Sequence, residues 1–286
     1  MAHLTTQQVD AYERDGFLFP LDVVPPSRAG EIRKAVEAVE RGGAARPRIG
    51  QYAFNVAHLV IPEVRDLVLS DAVLDPVEDV LGHDLMLWGT GFFIKEAATP
   101  NYVSWHQDLT YWGLDDAAEV TAWIAFTPSN EGNGAMRFIP GSHGRPIVRH
   151  RDTFAKENLL SRGQEIAVAV DEHAAVTVEL EAGQMSLHHG RLFHASGPNA
   201  SADRRIGLAV RYIRPEMRQT VGHRDYATLV RGEDRFGHFR PHPEPAFDLA
   251  PPKLAAIDAM LDDQNAFLYA GAAKKGRRFA REPAGS

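Results

Sequence analysis

The chain has 286 residues, 44% hydrophobic and 24% charged, with a formal net charge of −7. That is an ordinary globular composition, enough for one large domain or two small ones, and it gives nucleic acid no basic surface to answer. It has no cysteine, which excludes thiolate zinc sites, iron–sulfur clusters and thiol nucleophiles and leaves His, Asp and Glu to hold any metal. Residues 1–17 lack the basic and apolar regions of a signal peptide, and no run of about 18 apolar residues exists, so a cytoplasmic protein without a membrane partner is expected.

Helical signals fill the first third. Thr5 and Gln8 have the spacing of a capping box, with Val9 and Tyr12 on one face. Ser27 after Pro25 and Pro26 is placed to cap a helix carrying Ile32, Val36 and Val39. A third helix covers Val64, Leu67 and Val68, and a fourth, residues 77–81, starts after Pro76 and stops at Gly82.

From Asp84 the pattern turns to strands. Over residues 85–95, Leu87, Gly89, Gly91, Phe93 and Lys95 face one way and Met86, Trp88, Thr90, Phe92 and Ile94 the other. Further strands are predicted at 120–127, 135–139, 165–170, 176–180, 184–187 and 205–214, separated by Gly, Pro, Asn and Asp turns. Short strands at this density suggest a sandwich or barrel, so the chain reads as mainly β with flanking helices. Residues 145–162 form a polar insertion, and a late helix carries Leu254, Ile257, Met260 and Leu261. One domain over residues 1–270 is expected: helices to 82, a β core over 84–215, and an extension over 216–270. Residues 271–286 are expected to form a basic flexible tail, nearly all of it outside the residues the structure describes.

A His-x-Asp pair at a strand end offers two metal ligands on one side. The pair occurs three times, as His106–Asp108, His150–Asp152 and His223–Asp225. His150 lies between Arg149 and Arg151, where cations oppose a divalent metal, and solvated surface is the better reading there. His223 follows every candidate for a third ligand, with Arg224 beside it. His106 stands among hydrophobic residues, with Trp105 before it and Tyr111 and Trp112 after. For the third ligand, His188, His189 and His194 all stand in one segment. His194 is favoured by the small residues Ala195, Ser196 and Gly197 that follow it.

Downstream, Ile206, Leu208, Val210 and Tyr212 form one apolar face of a strand, and Arg205, Gly207, Ala209 and Arg211 the other. An arginine beside two very small residues describes a pocket with a carboxylate-binding fork at its end. Arg204 is the surface member of its pair.

On these residues the sequence resembles the phytanoyl-CoA dioxygenase family of Fe(II)/2-oxoglutarate oxygenases, over about residues 10–240. The family's order is His-x-Asp, a distal His, then an Arg eleven residues later, and His194 plus eleven is Arg205. The stretches 130–143 and 194–199 also look like the family's. The resemblance implies a double-stranded β-helix (jelly-roll, cupin-like) core buttressed by N-terminal helices. It implies iron on His106, Asp108 and His194, with 2-oxoglutarate and O₂ as co-substrates. It further implies that Arg205 and Ser196 bind the co-substrate carboxylate, that Trp123 lines its pocket, and that Asn55 and His58 contribute from an N-terminal segment. The implied activity is an oxidoreductase that hydroxylates an unactivated C–H bond and releases succinate and CO₂. Related halogenases have a small residue in place of the carboxylate, so Asp108 points to hydroxylation.

For the substrate, Lys95, Arg137, His150, Asn158, Arg162 and Gln164 are candidate polar contacts, with Trp112 beside the metal pair. A basic lining suits a small anionic metabolite such as an organophosphonate or a natural-product intermediate; a CoA thioester or an amino acid is the alternative. A zinc hydrolase on the same triad leaves Arg205 unexplained, a metal-free binding module leaves the three ligand-type residues unexplained, and no nucleophile elbow supports a serine hydrolase.

Overall fold

Thr5 caps helix α1 (Thr6–Asp15) through a reciprocal capping box with Gln8, and Gly16 ends it in the left-handed region at φ 83°. The chain then turns directly into strand β1 (Phe17–Asp22). The computed structural model describes residues 4–45, 54–222, 224–268, 270 and 272. Helix α2 (Pro26–Ala45) begins at the second proline, so Ser27, expected as its cap, lies inside the first turn. A proline at N1 loses only an N–H that has no helical partner. After α3 (Ala57–Val60) and α4 (Pro62–Val68) comes α5 (Asp71–Leu81), which starts well before the expected boundary and carries Pro76 inside it. Asp71 in the first turn favours the start there, while Ser70 at the N-cap turns its hydroxyl to the Leu67 carbonyl and makes no side-chain cap. The buried Pro76 ring offsets the one donor it removes. No described helix is long and apolar enough to cross a membrane.

The remaining strands are β2 (Leu85–Lys95), β3 (Val103–His106), β4 (Glu119–Ala125), β5 (Met136–Phe138), β6 (His150–Asp152), β7 (Gln164–Ile166), β8 (Val176–Val178), β9 (Gln184–His189), β10 (His194–Ser196), β11 (Arg205–Ile213) and β12 (Thr228–Arg231). Six form a sheet in the order β1-β9-β4-β11-β2-β12, four form a second in the order β3-β10-β5-β8, and β6 pairs with β7. Every pairing is antiparallel. This is the double-stranded β-helix.

One face of the large sheet buries Phe92, Ile94, Val120, Ile124, Ile206, Leu208, Val210 and Tyr212 against Ile32, Val36, Leu59, Val64 and Val77 of the helices. Each such side chain contributes roughly 1.5–3 kcal/mol. Helix α6 (Pro251–Leu268) adds Ile257, Met260 and Leu261 to the same core. The other face meets the small sheet around Trp123, Ala209, Met136 and Phe138.

Strand β2 departs from strict alternation. Arg211 pairs with Gly89 and Tyr212 with Leu87, leaving Trp88 as an extra residue. Leu87 therefore joins the helical core with Phe92 and Ile94, although it was expected on the face of Gly89, Gly91 and Phe93. The polar insertion also holds structure, since β6 within it pairs with β7.

Candidate metal centre

Strand β3 ends at His106, and Asp108 opens a 3₁₀ turn, Asp108–Tyr111. His194, the first residue of β10, pairs directly opposite His106. Cross-strand neighbours on one face approach closely, and the two imidazole centroids lie 4.0 Å apart. Asp108 Oδ1 is 3.3 Å from His106 Nε2 and 3.9 Å from His194 Nε2. One donor atom from each of the three residues falls within 4.8 Å of the others.

The backbone fixes which nitrogens face the centre. His106 Nδ1 lies 2.9 Å from the Ser104 carbonyl and 3.1 Å from that of His194, and His194 Nδ1 lies 3.0 Å from the Leu192 carbonyl. Carbonyls only accept, so both Nδ1 atoms carry the proton and both Nε2 lone pairs point at the Asp108 carboxylate. Burial, then the neighbouring His106, holds His194 well below the usual imidazole range. Two neutral imidazoles and one carboxylate, all lone pairs converging, repel one another unless a cation lies between them. The donor set fits a divalent ion of the iron, manganese and zinc group with coordination positions left open.

The three residues open on a cavity that Trp123, Ser196, Arg205, Ala209 and Arg211 also line. Arg205 is 1% exposed, and its Nε and Nη1 have no hydrogen-bond partner among the described residues. Burial alone pulls it down to about 10, so it remains charged at neutral pH. Its guanidinium lies 5.1 Å from the centre of the Trp123 ring. The ring fits because residue 207 is glycine: a Cβ there would come within 1.8 Å of Trp123 Cζ2. Lys95 pairs with Arg205 across β2 and β11 and is fully buried. Its Nζ donates to Ser196 Oγ at 2.6 Å, to the Gly134 carbonyl at 3.3 Å and to the Gly197 carbonyl. The Ser196 hydroxyl accepts from Lys95 and so keeps its own proton for the cavity. Lys95 was expected on a substrate, but it does not line the cavity; it stands behind Ser196.

Other expected contacts lie elsewhere. His58 is on the helical side of the large sheet, its Nδ1 3.0 Å from Thr90 Oγ1 and its ring 4.9 Å from that of His242. Asn55 follows Phe54, whose carbonyl overlies Gly91, but does not line the cavity. Arg162 pairs with Asp152 and lies over Tyr111, and Gln164 accepts from the Arg162 backbone N–H at 3.1 Å, so both serve the β6–β7 hairpin. Asn158 donates to Ser104 Oγ, and Arg137 pairs with Glu172. Trp112 lies against Trp88, ring centroids 4.8 Å apart and tilted by 49°, and against the Arg211 guanidinium at 5.2 Å. His150 is half-buried rather than solvated: its Nδ1 lies 2.8 Å from the Val148 carbonyl and its Nε2 accepts from the Gln107 backbone N–H at 3.1 Å. Its arginine neighbours point away because a strand alternates. His223 lies outside the described residues.

Sequence reasoning overlooked a row across the large sheet. Arg211 on β11, Thr121 on β4 and His188 on β9 are register partners, and all three line the cavity. His188 Nε2 stands 3.8 Å from Asp108 Oδ2, too far for a hydrogen bond. Beside the row, Glu119 is buried and accepts from Thr121 Oγ1 at 2.7 Å; burial and then Asp108 push its carboxyl up to about 8. The alternation that put Arg205 in the pocket carried Arg211 with it. No local pattern marked Glu119.

A jelly-roll with two histidines and an aspartate converging at one end of its cavity defines a mononuclear metal-centre protein. The sequence profile of the phytanoyl-CoA dioxygenase (PhyH) family matches residues 12–207, and the chain belongs to that family. It is an oxidoreductase of the dioxygenase class. A structure of the non-haem monooxygenase ThoJ without ligand superimposes with a TM-score of 0.82 at 34% identity, covering 92% of this chain and 98% of that one. A probable α-ketoglutarate-dependent hypophosphite dioxygenase of Stutzerimonas stutzeri is 29% identical over 60% of this chain and 62% of its own length, so less than two thirds of that relative is spanned. An ectoine dioxygenase of Nocardia farcinica is 22% identical over 78% of this chain and 87% of its own.

Proposed function

We propose that the protein is an Fe(II)- and 2-oxoglutarate-dependent hydroxylase of a small anionic metabolite, with an organophosphonate or a natural-product intermediate as the substrate type. The observation that carries the reading is the pairing, in one cavity, of a lone-pair triad with an unpartnered buried guanidinium. His106, Asp108 and His194 hold the iron, and the Nδ1 hydrogen bonds keep both imidazoles aimed at it. Arg205 receives the far carboxylate of 2-oxoglutarate in a bidentate fork. Ser196 adds its hydroxyl proton, oriented by Lys95. Trp123 walls the co-substrate and, with Met136 and Phe93, keeps that end dry. Bound iron supplies, with O₂ and 2-oxoglutarate, the oxidation that places a hydroxyl on a C–H bond and releases succinate and CO₂. Asp108 occupies the position that a halide would need, which favours hydroxylation. The hypophosphite dioxygenase relative supports a phosphorus oxyanion as substrate.

Anaerobic addition of Fe(II) and 2-oxoglutarate is expected to give a weak visible charge-transfer band. Iron binding without that band defeats the co-substrate assignment. Succinate release across phosphonates, acyl-CoAs and amino acids then identifies the substrate type, and stimulation by neutral compounds alone defeats the anionic one.

A further inference from the structure

The geometry points to Arg211 as the residue that binds the acidic group of the primary substrate, which makes the substrate a small oxyanion-bearing molecule held at the opposite end of the cavity from Arg205. This assignment rests on the oxygenase reading above and deepens it. Arg211 is 5% exposed and lines the cavity, and its Nε is buried without a partner. Among the described residues it forms no ion pair within hydrogen-bonding distance, and the Trp112 ring lies against the guanidinium at 5.2 Å. Glu119 on β4 is the buried acid whose charge reaches Arg211, but its Oε1 accepts from the Thr121 hydroxyl and it makes no hydrogen bond to the guanidinium. A buried guanidinium with no acid hydrogen-bonded to it gains from a ligand that brings one.

The other cations near the site are already occupied. Lys95 is held by Ser196, Arg137 by Glu172 and Arg162 by Asp152. Arg205 and Arg211 share one face of β11 six residues apart, about 20 Å at roughly 3.3 Å per residue. One guanidinium suits one carboxylate of 2-oxoglutarate, which leaves the second for a different acid. The row of Arg211, Thr121 and His188 ends 3.8 Å from Asp108. An acid seated on it is therefore close to the metal, and the bond oxidised lies within a few bonds of the acidic group.

The test uses protein loaded with Fe(II) and 2-oxoglutarate under argon, titrated calorimetrically with ethylphosphonate, propionate and uncharged diethyl ethylphosphonate. Wild type is expected to bind at least one of the two acids and to ignore the diester. Arg211→Met is expected to weaken that binding about 10- to 100-fold, and Arg211→Lys to recover part of it. Failure of wild type to bind either acid overturns the assignment, as does equal binding by Arg211→Met. A charge-transfer band in wild type together with Arg211-independent acid binding leaves the oxygenase reading standing and removes this one. Arg211-dependent acid binding without a band does the reverse.

Discussion

His106 directs its Nδ1–H at the carbonyl of His194, 3.1 Å away, while strand pairing stacks the two rings at 4.0 Å. The backbone of one ligand therefore sets the tautomer of the other, and sheet and metal centre form as a single unit. His194→Ala is expected to lower Fe(II) affinity by more than about 100-fold, beyond the range typical of outer-shell changes. In wild type, Fe(II) at 100 times its dissociation constant contributes about 2.7 kcal/mol, or about 5–10 °C in melting temperature. A thermal melt that Fe(II) does not move under argon would falsify the ligand set.

Arg205 carries a buried charge that no side chain among the described residues compensates. Arg205→Met is expected to stabilise the apoprotein by about 1–4 kcal/mol while raising the KM for 2-oxoglutarate more than about 100-fold. Urea unfolding beside steady-state kinetics checks both. A destabilised variant with normal KM means the guanidinium is structural.

Lys95 acts through Ser196. Lys95→Met should raise the KM for 2-oxoglutarate about 10-fold, the value of one hydrogen bond, with kcat at saturation kept within about twofold. Equal loss in kcat at all co-substrate concentrations contradicts the positioning role.

Gly207→Ala brings a methyl group to 1.8 Å from the Trp123 indole, and overpacking of this kind costs about 1–3 kcal/mol. Trp123→Leu frees that space, so the double variant should be more stable than the sum of the single changes predicts. Strict additivity would show that the two do not compete for one volume.

Glu119 gives the apoprotein a pH signature. Its carboxyl, at about 4.5 when unfolded, is lifted by burial to about 8 in the fold. Between those values the folded state holds the extra proton, so stability falls as pH rises from about 4.5 to 8, by up to roughly 1.4 kcal/mol per unit. Above 8 the penalty is complete. Glu119→Gln should flatten that slope in urea midpoints taken at pH 5, 6.5 and 8; an unchanged slope assigns it to another group.

What the sequence reveals and conceals follows from the range of each interaction. The faces of Arg205–Ile213 are legible because period two is written in adjacent residues. The His-x-Asp pair is legible as a pair, but His194 opposite His106 is a register between distant strands, and only the spacing to Arg205 stood in for it. The bulge at Trp88 is invisible because one unpaired residue changes every later parity without altering composition. His150 was misjudged from the charge of its neighbours, although alternation turns an inner residue away from both. Lys95 and Arg162 looked available because a sequence shows a cation but not its partner.

Arg205 and Arg211 stand on the same strand, and this makes the length of the cavity a stepped quantity. Positions facing the cavity recur every second residue, about 7 Å apart. A cation moved from 211 to 209 would shorten the space by one such step, and one placed at 210 would be buried among the helices with Val210's present neighbours. Divergence of substrate size on this scaffold therefore proceeds by two-residue jumps along β11, with finer adjustment left to the side chains of the facing sheet.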